Sequence, residues 1–73
     1  MSEGRKELLL YQQRVVEEKR ELDEEIHELT TFLATAASAQ VPLVEARLMH
    51  EQLHHMLQYS KTLQQRMRLW SAA

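Results

Sequence analysis

Apolar side chains recur every three or four residues along the first half of the chain. The series runs from Leu8 to Leu33 and is interrupted once, by Lys19. This spacing places the side chains on one face of an α-helix and is incompatible with the alternation of a β-strand. The pattern predicts a first helix over about residues 5–37. The apolar members are Leu8, Tyr11, Val15, Leu22, Ile26, Leu29 and Leu33.

A second stripe with the same spacing follows a short break. Small residues, a serine and Pro42 interrupt the pattern, and they predict a connection over about residues 36–42. A second helix is then predicted over about residues 43–70, with Ser60 as the polar member of its stripe. The sequence therefore predicts an all-α fold, a single domain over residues 1–73 built as a two-helix antiparallel hairpin. The apolar members of the second stripe are Met49, Leu53, Met56, Leu63, Met67 and Trp70.

The size of the chain adds a prediction of self-association. Two helices present only one stripe to each other, and a chain of 73 residues buries a small share of its surface. Further apolar residues lie off the stripes, which would leave a large exposed patch on a monomer. We therefore expect a homo-oligomeric helical bundle. The residues expected in its interface are Leu22, Ile26, Leu29, Leu53, Met56 and Leu63.

Composition and charge exclude several classes of function. The chain has no cysteine, a net charge of −2 and no apolar run of bilayer length, so we expect a cytoplasmic protein of the host cell with no cofactor and no membrane partner. The charge is divided, with a net −4 in residues 1–36 and a net +2 in residues 37–73. No helix has the basic face of a sequence-specific nucleic-acid reader. A chain this small also forms no walled pocket, so an enzyme is not expected.

Two charged motifs resemble catalytic sequences without their surroundings. His50-Glu51-Gln52-Leu53-His54 matches the H-E-x-x-H pattern of zinc hydrolases, but no third ligand or substrate cleft accompanies it. We interpret it as a helix surface, and a metal held between subunits stays open. The acidic block over residues 17–25 is interpreted as a solvated helix face with paired charges.

A third set of residues predicts a ligand site. If residue i lies opposite residue 78 − i, then Lys19 faces Tyr59 and Tyr11 faces Met67, and aromatic and basic side chains gather toward the open end. Aromatic rings stack on bases, and Arg and Lys bind phosphates. An inward Lys19 needs a counter-charge, which Glu18, Glu25 or a ligand phosphate could supply. The predicted ligand-binding residues are Tyr11, Arg14, Lys19, Tyr59 and Arg66, with no catalytic and no metal-binding residue.

The first helix also carries a resemblance to a known group of proteins. It begins with the run Tyr11-Gln12-Gln13-Arg14-Val15-Val16-Glu17-Glu18-Lys19-Arg20-Glu21-Leu22-Asp23, followed by Ile26, Leu29 and Phe32-Leu33. The second helix adds Glu51-Gln52-Leu53, Met56, Tyr59-Ser60, Leu63 and Arg66. Together they resemble a family of small phage and prophage proteins related to one first noted in crAss-like phages, over about residues 8–67. This family supplies no activity to carry over. A looser likeness is architectural, to phage helical hairpins that bind nucleotide signals of CBASS or Thoeris immunity.

Two functions follow from these observations. The first is a non-enzymatic phage counter-defence protein that sequesters a nucleotide-type immune signal, of the cyclic oligonucleotide or cyclic ADP-ribose class, in an oligomer. The second is a protein–protein interaction module that docks on a host or phage protein and inhibits or scaffolds it. A bound nucleotide would separate the first from the second.

Overall fold

Two long helices and a short 3₁₀ helix make up the fold. The computed structural model describes residues 7–71. Helix α1 spans Leu10–Leu33, the 3₁₀ helix spans Ala36–Gln40 and helix α2 spans Leu43–Ser71. Helices α1 and α2 pack side by side in opposite directions, in a rod of 55 × 19 × 17 Å. The predicted all-α hairpin is confirmed.

Helix α1 begins later than predicted, because the chain is capped at Leu9. Leu9 has an extended backbone, and its N–H donates to Oε1 of Gln12 at 2.8 Å. The side chain of Gln13 donates in turn to the carbonyl of Leu8 at 2.8 Å. These side-chain amides satisfy backbone groups that a longer helix would have paired internally. Residues 5 and 6 of the predicted helix lie outside the described part of the chain.

Helix α1 also ends before residue 37, the predicted end, because side-chain hydroxyl groups donate hydrogen bonds to its last carbonyls. Oγ1 of Thr35 donates to the carbonyl of Phe32 at 2.7 Å. Oγ of Ser38 donates to the carbonyls of Leu33 and Thr35. Local bonds of this kind compete with helix continuation, so the chain leaves the helix at Leu33 and tightens into the 3₁₀ helix.

Helix α2 begins where the sequence predicts. The carbonyl of Pro42 accepts the first helical hydrogen bond from the N–H of Ala46 at 2.8 Å. Proline lacks an N–H and has a fixed φ, so it suits this position. Glu45 adds a negative charge to the first turn, where the helix dipole favours it. Within residues 7–71, neither long helix is apolar enough over a sufficient length to cross a membrane.

The core is a narrow contact between the two helices. Val15 and Leu22 of α1 enclose Leu63 of α2, whose exposed fraction is 0%. These three side chains are the buried residues of the described part of the chain. Half-buried side chains extend the contact toward both ends. They are Ile26, Met56, Met67 and Trp70.

The helix–helix contact gives the predicted interface residues a different role. We expected Leu22, Leu63 and their neighbours to join separate copies, but the structure places these two in the core of one hairpin. Ile26 and Met56 pack against that core as well. Four of the six residues expected between copies therefore pack within one hairpin, and most of the exposed large apolar side chains lie outside the two stripes.

Candidate functional site

Three cross-helix contacts fix which parts of α1 and α2 lie side by side. Tyr11 contacts Trp70, Glu18 is hydrogen-bonded to Tyr59, and Asp23 is hydrogen-bonded to Ser60. The residue numbers of these pairs add to between 77 and 83, close to the 78 predicted. Near the open end the ring of Tyr11 meets that of Trp70, and Met67 packs against the same core.

The core separates two edges of the helix–helix contact. Successive residues of a helix point about 100° apart, so Glu18 and Lys19 lie on different sides of α1. Tyr59 and Ser60 differ in the same way on α2. The Glu18–Tyr59 bond therefore lies along one edge and the Asp23–Ser60 bond along the other.

The edge that contains the Asp23–Ser60 bond, which we name the bridge edge, consists of Lys19, Asp23 and Ser60. Nζ of Lys19 lies 2.6 Å from Oδ2 of Asp23, and Oγ of Ser60 donates to Oδ1 of the same carboxylate at 2.6 Å. The hydrogen bonds from Lys19 and Ser60 lower the pKa of Asp23 below its ordinary value. The polar residues that interrupt the two apolar stripes are thus joined across the hairpin by one carboxylate.

Asp23 corrects the expected counter-charge of Lys19. The Lys19 side chain is 18% exposed and does face inward, as its place in the stripe predicts. Its counter-charge is neither Glu18 nor Glu25, because both point away from the side of α1 on which Lys19 lies. Asp23 is one helical turn further along and reaches Lys19 directly. Lys19 therefore needs no ligand phosphate to balance its charge.

The second edge, which we name the tyrosine–arginine edge, consists of Tyr11, Arg14, Glu18, Tyr59, Arg66 and Trp70. On α1 and on α2 its members are separated by three, four or seven residues, which keeps them on one side of each helix. Near the open end the Tyr11 and Trp70 rings meet edge to face, with centroids 6.2 Å apart. Tyr11 remains 52% exposed beside Trp70. This leaves one face of an aromatic pair open to a planar ligand.

Tyr59 links the two helices along the same edge. Its hydroxyl donates to a carboxylate oxygen of Glu18. That hydrogen bond raises the pKa of Tyr59, with burial and the negative charge of Glu18 acting in the same direction. The nearby positive charge of Arg66 opposes the rise in pKa. Arg66 is therefore close enough to Tyr59 to act on it electrostatically.

Four of the five predicted ligand-binding residues share the tyrosine–arginine edge, and Lys19 is the exception. Arg14 and Arg66 lie at about the same height along the hairpin, opposite each other by the observed register. No ion pair holds either guanidinium within residues 7–71. By contrast, Arg20 of the acidic block lies between Glu17 and Glu24, as expected of a solvated helix face. The arrangement can bind an anion beside an aromatic surface.

The H-E-x-x-H segment lies on the outer surface of α2. His50 and His54 are exposed, and the ring of His54 meets that of His55 at 5.6 Å between centroids. Among the described residues no three histidine, aspartate or glutamate side chains cluster so as to hold a metal ion.

Sequence reasoning missed Asp23 and gave too little weight to Trp70. The signal for Asp23 was present, because it follows Lys19 at the i, i+4 spacing of a helical ion pair. The signal for Trp70 was its place at the end of the second stripe, opposite Tyr11 near the start of the first. Asp23 neutralises the cation of the bridge edge, and Trp70 completes the aromatic pair of the other edge.

Comparison with known proteins identifies the family of the chain. The model of the Sequestin family matches residues 9–69. The chain belongs to the Sequestin family. The match covers α1 and all of α2 except its last two residues, and the family name indicates a sequestering role. The relation to proteins of crAss-like phages stays a prediction. No curated protein and no solved structure matches the chain.

Proposed function

We propose that this member of the Sequestin family is a non-enzymatic phage counter-defence protein that acts in the host cytoplasm. It binds a nucleotide-type immune signal of the cyclic oligonucleotide or cyclic ADP-ribose class and withholds it from its effector. The active form is a homo-oligomer, because one hairpin offers an open edge rather than an enclosure. The family match supports sequestration, and the ligand class rests on the chemistry of the tyrosine–arginine edge.

One observation carries the proposal. Arg14 and Arg66 face the same edge as the exposed Tyr11 ring, and neither forms an ion pair within the described residues. Guanidinium groups bind phosphate oxygens through paired hydrogen bonds, and aromatic rings stack on nucleobases at a gain of about 1–3 kcal/mol per base. A nucleotide offers both parts at once.

The proposal assigns different roles to the predicted residues. Tyr11 and Tyr59 stack on the ligand, and Arg14 and Arg66 contact its phosphates. Lys19 acts indirectly, because its ammonium group is held by Asp23 on the bridge edge. There it keeps α1 and α2 aligned, so that the cations of the other edge stay opposite each other.

Isothermal titration calorimetry tests the proposal with a matched pair of arginines. Arg66 and Arg68 are both exposed on α2, but a separation of two residues turns them about 200° apart. We expect at least one cyclic dinucleotide, cyclic trinucleotide or cyclic ADP-ribose isomer to bind the wild type. Arg66→Ala should weaken that binding about tenfold or more, which corresponds to loss of a charge-assisted phosphate contact. Arg68→Ala should leave it within about twofold, because Arg68 lies on another face.

The interaction module is the alternative that this experiment would leave standing. If none of these ligands produces heat at concentrations up to the millimolar range, the nucleotide proposal is wrong. An equal loss in Arg66→Ala and Arg68→Ala would show that net charge, and not the tyrosine–arginine edge, governs binding.

A further inference from the structure

Two histidines of α2 lie one helical turn apart on its outer surface. His50 and His54 are both exposed, and α2 is continuous from Leu43 to Ser71, so the backbone holds them at the i, i+4 spacing. Residues at this spacing have Cβ atoms about 5–6 Å apart and differ by only about 40° around the helix axis. The two imidazole rings therefore extend from one face of the helix and can reach a common point beyond it.

The ring nitrogens of His50 and His54 are not used inside the hairpin. Within residues 7–71 neither side chain takes part in a hydrogen bond or an ion pair. His54 contacts the ring of His55, with centroids 5.6 Å apart, but that contact involves no hydrogen bond. Both rings therefore keep their nitrogens available, and a neutral imidazole binds a metal ion through either of them.

The donor atoms decide which class of cation fits the pair. Imidazole nitrogen suits zinc, copper and nickel, whereas magnesium and calcium take oxygen ligands. Glu51 and Arg47 lie within one turn of the pair, and their opposite charges offset each other there. The surrounding charges therefore give no strong attraction to a hard cation, and the two nitrogens select a transition metal.

We infer that His50 and His54 together bind one divalent transition-metal ion of the zinc, nickel and copper class on the outer surface of α2. Each ring supplies one nitrogen, at about 2.0–2.1 Å from a zinc ion. Among residues 7–71 no third histidine, aspartate or glutamate joins them, so water occupies the remaining coordination positions. A zinc hydrolase uses three protein ligands and a cleft. Two ligands on an open helix surface bind the ion without a substrate beside it.

The metal site lies apart from the tyrosine–arginine edge. Arg66 follows His54 by 12 residues, which is about 18 Å along a helix. The ion and a ligand on that edge therefore do not compete, and the inference does not depend on the proposed function. The ion joins two consecutive turns of α2. Because the unfolded chain does not hold the two rings together, the ion binds the folded chain more tightly and stabilises it.

Isothermal titration calorimetry of the full chain with zinc sulfate tests the pair. We expect one zinc ion per chain, and no heat from magnesium at the same concentration. His50→Ala and His54→Ala should each weaken zinc binding about tenfold or more, because a single imidazole cannot chelate. His27→Ala removes an exposed histidine of α1 and should leave the affinity within about twofold of the wild type.

Two results of that titration would overturn the inference. The first is a wild type that binds no zinc, or a His50→Ala variant that binds it as tightly as the wild type. The second is a loss of binding in His55→Ala with none in His50→Ala. That result would place the ion between the neighbouring rings of His54 and His55 instead.

Two double variants separate the spacing of the histidines from their number, since each keeps four histidines. His50→Ala with Gln58→His pairs His54 with position 58 at the i, i+4 spacing, and should return zinc binding to within about threefold of the wild type. His54→Ala with Thr62→His has no such pair and should bind as weakly as His54→Ala. Gln58 and Thr62 are both exposed. Equal affinities in the two double variants would overturn the inference.

Thermal unfolding followed by circular dichroism gives a second measurement and confirms that every variant keeps its helices. Saturating zinc should raise the unfolding midpoint of the wild type, because the ion binds the folded helix more tightly than the unfolded chain. The midpoint of His50→Ala should not change with zinc. A wild-type midpoint that zinc leaves unchanged or lowers would contradict the site, since the ion would then bind the unfolded chain at least as tightly.

Discussion

Both edges of the hairpin carry basic side chains, but only on one of them does an acidic side chain neutralise the positive charge. On the bridge edge the ammonium of Lys19 is neutralised by Asp23, which also accepts a hydrogen bond from Ser60 of the other helix. On the tyrosine–arginine edge the guanidinium groups of Arg14 and Arg66 have no ionic partner in the described residues. The first edge holds the hairpin together, and the second leaves two cations and an aromatic surface available.

Whether a cation in a candidate site is available to a ligand therefore depends on its ionic partners in the fold, and not on its residue type. Lys19 is the inward cation that interrupts an apolar stripe, which first suggested a ligand phosphate. Its partner lies one helical turn away on the same helix. Arg14 and Arg66 attract less notice in the sequence because they lie beside the stripes, yet within residues 7–71 neither of them has an ionic partner.

The largest loss of stability is expected from a substitution in the core, on which both edges depend. Leu63→Ala should lower the free energy of unfolding by about 2–5 kcal/mol, because Leu63 is fully buried and the cavity is only partly refilled. Leu57→Ala on the same helix should cost less than about 1 kcal/mol, since Leu57 is 49% exposed. Chemical denaturation followed by circular dichroism measures both. Equal losses would contradict the core described here.

A smaller loss of stability is expected from a substitution on the bridge edge. Asp23→Ala should lower the free energy of unfolding by about 1 kcal/mol, since it removes two hydrogen bonds and leaves a half-buried Lys19 without its counter-charge. The figure is small because the Asp23 side chain is 45% exposed and partly screened by water. Glu24→Ala, which removes an exposed pair with Arg20, should lower the free energy of unfolding by less than Asp23→Ala does, because water screens that pair.

The bridge also predicts a direction for the dependence on pH. The pKa of Asp23 is lower in the folded chain than in the unfolded one, so its contribution is complete above the unfolded pKa of about 3.9. It is lost as the pH falls through the lower, folded pKa. The difference in unfolding free energy between wild type and Asp23→Asn should therefore shrink below about pH 4. A difference that grows on acidification would contradict the bridge.

The smallest effect concerns the ionisation of Tyr59 on the other edge. The chain has two tyrosines, so Tyr11→Phe leaves the absorbance of Tyr59 alone. Because Glu18 raises the pKa of Tyr59, its phenolate should form above the ordinary value of about 10. Adding Glu18→Gln should bring the midpoint down, and Glu21→Gln should leave it higher than Glu18→Gln does. An unchanged midpoint in Glu18→Gln would show that the cross-helix bond is absent in solution.

Helix type, connection and packing direction could be predicted from the sequence, because the apolar spacing and Pro42 report on them directly. The ends of α1 could not, because they depend on hydrogen bonds between the side chains of Gln12, Thr35 and Ser38 and particular backbone groups. Spacing alone also could not tell stripes used within the chain from stripes used between chains. Leu22 and Leu63 were therefore expected in the wrong interface.

The candidate site was predicted in part for a related reason. The height of each residue along the hairpin follows from the register, and Tyr11, Arg14 and Arg66 do lie toward the open end. Which edge a residue faces depends on the angle about the helix axis, and by that angle Lys19 belongs with Asp23. The height of each residue along the hairpin and its angle about the helix axis, taken together, place Lys19 on the bridge edge and the two arginines on the other edge.

Native mass spectrometry of the protein purified from phage-infected, defence-positive cells tests the central claim most directly. It reports the number of subunits and the mass of any small molecule retained. We predict an oligomer carrying a phosphate-containing ligand in the wild type and in Lys61→Ala, whose side chain lies away from both edges. The same oligomer should be empty in Arg14→Ala with Arg66→Ala. A wild type that carries no ligand, or a double arginine variant that retains it, would contradict the claim that the tyrosine–arginine edge is the sequestering site.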